Sequence, residues 1–513
     1  MAARSKDWAA VWECHSQAAR DRTCRAVKRV RGTALAEGKD STLKVTGDDL
    51  SKAVGRFKKS TSTGLGLWSL AEFAQCDKED LDRLAGILME WDTDMIAPQQ
   101  WMTNLMAMIP KKKGHRCVAT MASGFRMYTS LEEGIDKRWN IDNSHADDSC
   151  KPDTSCLRAA EERLIEQEIL VNNDYQTLVI LWDFVKFYDT MQYDVLENEC
   201  KANGYGKRKT AFSMMIHAAP RILKMGKAVG AMIGSMGRGI VAGCKRSQSM
   251  AKCYTNRFAK GLRESFYVEL PKSARKGTHK QNAAAELKRR KKSGMRVFQH
   301  VDDLTQIMWA GDDKELAAKA YSAAKDWAIV VREMLKMECS DKNVIIPPGM
   351  PARVVQGALL EQGVIVRIAA HGKDVGVDVT AGRKKMTKTL KERANAATKR
   401  ARNTHELIKH NPKTKVLGTT GVDPSQVYGG TAVGVDEAII KQKQNMAAAS
   451  GKGLRKGASA TIAIEWAWGQ KAQPDVRAHM GHIEAWLRYY DEHKGEDMER
   501  MRKAWKVAYT RAV

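Results

Sequence analysis

The sequence lacks several things, and each shortage excludes something. No apolar run approaches the roughly 18 residues that a helix needs to cross a bilayer, so a membrane-spanning chain is excluded. The ten cysteines are dispersed, with no Cys-x-x-Cys pair. That argues against a disulfide framework or a zinc ribbon and for a reducing compartment. His145, Cys150 and Cys156 are too irregularly spaced to make a zinc set. No period typical of solenoids recurs. The opening Met1-Ala2-Ala3-Arg4-Ser5-Lys6-Asp7 leads into a polar amphipathic stretch, unlike a secretory signal. Acid is short against base: 60 Asp+Glu stand against 86 Lys+Arg, a formal net charge of +26 over 513 residues. Such an excess does not suit a typical enzyme of small metabolites and points to a polyanionic partner. With 43% hydrophobic residues the chain can bury a core. Its length suggests roughly two to four domains.

Patterning along the chain predicts a mixture of helices and short strands. Trp8 to Val30 reads as basic helix, and Leu81–Trp91 as a helix with Leu81, Leu84, Ile87 and Leu88 on one face. Residues 105–131 read as mainly extended, broken by Pro110 and the basic turn Lys111-Lys112-Lys113-Gly114. A helix is expected over Leu157–Leu170. Leu178-Val179-Ile180-Leu181-Trp182 is a short continuous apolar run, the signature of a strand buried on both faces. Helices are expected near 194–202 and 209–225, then a glycine-dotted stretch from Gly226 to Gly243 and a helix to about 266. Residues 271–296 carry ten Lys/Arg against Glu286 and read as a basic surface loop. Strands at 297–301 and 304–309 flank a turn at Asp302-Asp303. A helix follows over 315–337, then strands near 343–346, 364–369 and 375–379, then a basic helix from Lys384 to His410.

Two carboxylate sites stand out: Asp183 at the end of the buried strand, and Asp302-Asp303 in a tight turn. A buried strand does not ordinarily end in an unpaired acid, because a desolvated charge is costly. Turns favour Asp for their own reasons. Taken together, acids at the tips of neighbouring strands in a basic chain suggest a shared pair of divalent ions, which demand hard oxygen ligands.

These residues sit in motifs that resemble a known family. Leu181-Trp182-Asp183-Phe184-Val185-Lys186-Phe187-Tyr188-Asp189 resembles motif A of reverse transcriptases, and Gln299-His300-Val301-Asp302-Asp303-Leu304 resembles their (Tyr/Phe)-x-Asp-Asp motif C. Ile109-Pro110-Lys111-Lys112-Lys113-Gly114-His115-Arg116 is similar to their Ile-Pro-Lys segment. Lys59 to Gly66 stands where they carry a fingers segment, and Gly239 to Ser247 is similar to motif B. Leu335 to Lys342 is similar to motif D, and Val375-Gly376-Val377 falls near the block that grips the primer. The order and spacing over roughly 51–400 are closest to the polymerase domains of non-LTR retrotransposons and group II introns. Departures occur: Ala242 replaces Gln and Gln248 replaces Pro in motif B, His300 replaces the aromatic of motif C, and Cys117-Val118 replaces Pro-Ile.

The resemblance implies a helix-rich α+β right-hand polymerase with an antiparallel palm sheet covered by helices. It implies a basic helical N-terminal extension over 1–50, fingers over 51–182, a palm over 183–380 with the inserted loop 271–296, a basic thumb over 381–460, and a C-terminal helical appendage over 461–513. It implies RNA-directed DNA synthesis from deoxynucleoside triphosphates on an RNA template and DNA primer, with two Mg²⁺ (or Mn²⁺) ions. Asp183 and Asp302 would be the principal metal ligands, assisted by Asp303 and the main-chain carbonyl of Phe184. Lys111 and Arg116 would clamp the triphosphate, Gly243 would let backbone approach the nucleotide, and Lys342 would be the general acid. Tyr188 would exclude a 2′-hydroxyl. Residues 383–402 hold nine Lys/Arg and one Glu, and Lys384, Lys385, Lys388, Lys391 and Arg393 would track phosphates. An intracellular location with a lean towards the nucleus follows. Two rivals share parts of this pattern: an RNA-dependent RNA polymerase, against which Tyr188 and Val301 speak, and a catalytically impaired nucleic-acid-binding remnant, which the altered motif B favours.

Overall fold

The computed structural model describes residues 1–13, 16–38, 43–66, 68–111, 114–145, 147–234, 236–265, 293–383, 385–450, 457, 459–468, 473–493 and 496–512. Lys112, Lys113, Lys384 and the basic loop up to Lys292 lie outside the described residues. The fold is helix-rich α+β, with strands β1 (Asn104–Pro110), β2 (His115–Thr120), β3 (Gln176–Trp182), β4 (Arg221–Met225), β5 (Ala228–Ile233), β6 (Gly294–His300), β7 (Asp303–Ala310), β8 (Val344–Ile346), β9 (Arg367–Ile368), β10 (Gly372–Asp374) and β11 (Val377–Val379).

The strands form three sheets. One has the order β2-β1-β4-β5, the second β6-β7-β3-β8-β9, and β10-β11 is a separate hairpin. In the five-stranded sheet β3 is central and antiparallel to both β7 and β8. Its apolar run reads as two interleaved faces. Leu178, Ile180 and Trp182 belong to the main core, while Val179 and Leu181 belong to a second core. The second core also contains Val377, Leu390, Ala394, Val433 and Ile439, so the region after 380 packs on the other side of β3. No face of β3 is left to water, which is why the run has no polar alternation.

Several helices cover this frame. Trp8, Trp12, Ala26, Val30 and Ala34, from the helices Ala2–Trp12 and Gln17–Ala36, lie in the same core as β3. The N-terminal helices thus pack into the main core. At the other end, Ala485, Trp486, Tyr489, Met501 and Ala504 pack on Ile165 and Ile169 of the helix Cys156–Asn172. That packing seats the C-terminal helices Pro474–Glu492 and Glu496–Ala512 on the β6–β7 side, where Arg296 bonds Asp147, Glu166 and the Tyr489 hydroxyl. Among the described residues no helix is long and apolar enough to cross a membrane.

Some local expectations fail for tertiary reasons. Residues 123–131 are helix, not extended. Phe125 and Tyr128, three apart, share one face and pack against Trp101, and Tyr128 also meets Phe212. The expected helix 209–225 stops at His217. Pro220 intervenes, and Arg221–Met225 becomes β4, parallel to β1. The glycine-dotted stretch after 226 contains β5, an edge strand paired to β4. The helix Met350–Glu361 carries no expectation from the pattern, and Arg367–Ile368 is all that remains of the strand expected over 364–369.

One buried ion pair ties these layers together. Arg163, 1% exposed, meets both Asp374 oxygens at 2.5 and 2.6 Å, and the Thr305 hydroxyl donates to the same carboxylate at 2.9 Å. It joins the helix Cys156–Asn172, strand β7 and the β10–β11 hairpin. Removing one partner of such a pair strands a buried charge, at about 3–5 kcal/mol. Asp374→Ala is therefore expected to lower the unfolding free energy by about that amount. Arg163→Met combined with Asp374→Leu should recover most of it. Urea titrations of the three proteins check this, and a double variant as unstable as the single one contradicts the account.

Candidate active site

The pairing of β3 with β7 runs from Gln176↔Ala310 to Trp182↔Leu304, and β6–β7 closes at His300↔Asp303. Asp183 is the next residue after Trp182 and Asp303 is the residue before Leu304. The register therefore brings Asp183 beside Asp303, on the face shared by the opposed pair Leu181 and Thr305. Asp302 occupies the turn between β6 and β7. Val301, the other turn residue, has φ +58°. A β-branched residue there is a steric outlier of the kind that clusters at functional sites, where a glycine would have adopted the same turn at little cost.

Beyond β3 the chain pairs with 338–340. Asp183 N–H donates to Asn343 Oδ1 at 2.8 Å, Ser340 N–H donates to the Asp183 carbonyl at 2.8 Å, and Val185 N–H donates to the Glu338 carbonyl at 2.9 Å. These bonds flank Phe184, which bridges Cys339. In that pattern the Phe184 carbonyl points away from 338–340, towards the β7 side where the acids stand.

The acids repel one another. Burial pushes the Asp303 carboxyl up to about 7, helped by the charges of Asp302 and Asp374 and opposed by Arg163. Burial also raises Asp302, with Asp183 adding to the shift and Arg116 opposing it. Crowded hard oxygens that resist ionisation are what a divalent cation relieves. Among the described residues no group of three or more acidic, His or Cys side chains is gathered as a ready metal cage.

Cations face the acids. Lys111 sits at the β1–β2 tip, where its N–H donates to the Gly114 carbonyl at 3.1 Å, and Arg116 pairs with Ile109. Burial lowers the Lys111 pKa, the charges of Arg116 and Lys342 lower it further, and Asp302 and Asp183 oppose them. Lys342 Nζ lies 3.7 Å from Asp183 Oδ2, with both side chains well exposed. The structure thus gathers Asp183, Asp302, Asp303, Lys111, Arg116 and Lys342, which come from four separate stretches of sequence.

Tyr188 is half-buried beside them. Its hydroxyl is pushed up by burial and by the Asp302 charge. It stands in the short helix Phe187–Thr190, entered through Lys186 in the left-handed region (φ 47°). The segment after Gly239 braces this turn, because Gly239 N–H donates to the Met191 carbonyl and Ile240 N–H to the Tyr188 carbonyl. From below, the Trp12 indole donates to Asp189 Oδ1 at 2.8 Å and the Lys186 ammonium lies 4.5 Å over the Trp8 ring. Trp8 and Trp12 are site-shaping residues that sequence reasoning missed. Trp12 lies 177 positions from Asp189, and no local pattern links them.

Two of the expected positions have local partners. At Gly243 (φ +108°) a Cβ would stand 2.6 Å from the Ala119 carbonyl oxygen and 3.0 Å from Val118 Cγ1. Ala119 N–H donates to the Ala242 carbonyl at 2.6 Å, so the close docking of this segment on β2 requires a glycine. Part of the basic stretch after 383 is paired within the protein. Lys385 pairs with Glu168 at 2.7 Å, Lys391 with Asp436 at 2.7 Å, and the Arg393 guanidinium lies 4.6 Å over the Tyr428 ring. Lys388 is exposed. The sequence shows one sign of charge, but the acids that use part of it come from distant helices.

No protein-family model matches the chain, and no curated protein matches it.

The raised Asp303 carboxyl gives stability a pH dependence with a definite sign. Between its ordinary range near 4 and its folded value of about 7 the folded state holds a proton that the unfolded state has lost. Its contribution is therefore greatest at low pH and falls as pH rises through that window. In metal-free buffer, Asp303→Asn should flatten the fall between pH 4 and 7, and Mg²⁺ should raise the wild-type Tm more at pH 8 than at pH 5. Thermal scans with EDTA or Mg²⁺ check both, and parallel curves for the two proteins contradict the assignment.

Proposed function

We propose that the chain is a nucleotidyltransferase, an RNA-directed DNA polymerase of the retroelement type. The observation that carries the reading is the β3–β7–β6 register, which sets Asp183 beside the Asp302-Asp303 turn under Lys111 and Arg116. In the reaction the primer 3′-hydroxyl oxygen bonds to the α-phosphorus of a deoxynucleoside triphosphate. The bond from that phosphorus to the bridging oxygen breaks, and pyrophosphate leaves. Two divalent cations, when bound, supply Lewis acidity at the attacking and leaving oxygens.

The chain's own groups divide the remaining work. Asp183, Asp302 and the Phe184 carbonyl hold the cations, with Asp303 contributing charge from the adjoining position. Lys111 and Arg116 bind the triphosphate oxygens, a point charge beside a planar fork. Lys342 stands at the Asp183 edge, where it can pass a proton to departing pyrophosphate. Tyr188 forms a wall at the incoming sugar and disfavours a 2′-hydroxyl. Basic side chains after 383 that remain exposed, such as Lys388, add attraction for the template and primer. This chemistry places the protein inside the cell, with nucleic acid as its partner.

The test is primer extension on an RNA template with deoxy- or ribonucleotides. Wild type should extend with deoxynucleotides. Asp302→Asn should show no extension while binding template-primer with nearly unchanged affinity, and undiminished extension by that variant would refute the reading. Tyr188→Ala should raise relative ribonucleotide use by about 10–100-fold, equivalent to about 1.4–2.8 kcal/mol of discrimination. Single-nucleotide kcat/KM ratios measure it, and an unchanged ratio would favour an RNA-dependent RNA polymerase instead.

A further inference from the structure

Among the described cysteines only Cys24 and Cys156 are exposed, and Cys156 stands beside the candidate active site. It is the first residue of the helix Cys156–Asn172, whose cap Ser155 accepts from the Arg158 N–H. Its Sγ lies 3.1 Å from His300 Nε2, and His300 Nδ1 lies 3.3 Å from the Ser149 carbonyl oxygen. A carbonyl can only accept, so that contact sets the ring proton on Nδ1 and turns the Nε2 lone pair towards the thiol. An exposed thiol that donates to an imidazole at a helix N-terminus has the surroundings that make sulfur nucleophilic.

The backbone holds this pair together. Ser149 N–H donates to the Gln299 carbonyl at 2.9 Å, the Ser149 hydroxyl donates to the same carbonyl at 3.0 Å, and Gln299 N–H donates to the Asp147 carbonyl at 3.2 Å. The Thr154 hydroxyl donates to the Ser149 carbonyl at 2.6 Å, which ties the approach to the helix onto the same strap. In the β6–β7 register His300 is opposite Asp303, so the two side chains leave the sheet on one face. A group attached to Cys156 Sγ is therefore carried at the shoulder of the Asp302-Asp303 turn.

We propose that Cys156 is a modification site for an anionic low-molecular-weight disulfide, of the kind glutathione disulfide represents, and that the adduct obstructs the acids beside it. The Cys156 sulfur bonds to one sulfur of the disulfide, and the S–S bond breaks with its electron pair on the other sulfur. The thiol proton ends on that departing thiolate. Cys156 is oxidised to a mixed disulfide, and one glutathione leaves reduced. The net charge of +26 and the helix N-terminus favour a disulfide that carries carboxylates. The test incubates the full chain with glutathione disulfide in EDTA at neutral pH and reads each cysteine by peptide mass spectrometry over time. A thiol in such surroundings reacts about 3- to 5-fold faster than an ordinary exposed one, the gain in thiolate exceeding the loss of nucleophilicity. Cys156 should outpace Cys24 by that factor, and His300→Gln should remove the difference. Cys200 and Cys253 are buried and stay unmodified in a folded chain, so the same digest shows that the variant has folded. Equal rates at Cys156 and Cys24, or a Cys156 rate that His300→Gln leaves unchanged, overturns the site. The obstruction rests on the proposed function and has its own readout. Primer extension should fall in proportion to the fraction modified, dithiothreitol should restore it, and Cys156→Ser should be insensitive to the disulfide. Full extension by the modified chain overturns the obstruction. No extension by the unmodified chain removes the polymerase reading, and the labelling rates still decide the site.

Discussion

Everything at the candidate site depends on the two-sided burial of one strand. β3 is clamped between two apolar cores, with Leu178, Ile180 and Trp182 facing one and Val179 and Leu181 the other. A one-residue slip would exchange every side chain between the cores, so the register with β7 is strongly specified. That register alone decides that Asp183 leaves the sheet beside Asp303. The acids are neighbours because apolar side chains several residues away have nowhere else to go.

The charge at the strand ends is held in place by structure that would not choose it. Val301 occupies a left-handed turn position that suits glycine, and Asp303 is crowded until its carboxyl reaches about 7. Both features cost stability, and Val301 offsets part of its cost by packing against the main core. The buried Arg163–Asp374 pair nearby acts on that field with both signs, Asp374 adding to the rise at Asp303 and Arg163 opposing it, and it locks the β10–β11 hairpin. Support for the catalytic reading thus comes from local conflict set inside an otherwise consistent fold.

The turn that follows β3 shows a second kind of dependence. Its conformation is not stable by local preference, since it enters through a left-handed lysine, Lys186. It is braced from one side by Gly239 and Ile240, and from the other by Trp8 and Trp12. Burial raises the Asp189 carboxyl, and the Trp12 indole and the Arg221 charge oppose that shift. The N-terminal helices therefore shape the position of Tyr188 although they contribute no reactive group.

The sequence by itself determined the elements whose signal is local. The unbroken apolar run marked β3 as buried on both faces. The carboxylates at its end and in the next hairpin were visible as misfits, and the spacing of Leu81, Leu84 and Leu88 marked the helix Lys78–Asp94. Only the tertiary structure decided what distance in sequence conceals. Lys385 and Lys391 looked like free cations until Glu168 and Asp436 arrived from other helices. Gly243 carries a packing demand that only the approach of β2 reveals. Phe125 and Tyr128 became helical because Trp101 offered their shared face a partner. Periodicity and turn chemistry are properties of neighbours along the chain, whereas neutralisation, close approach and aromatic packing belong to neighbours in space.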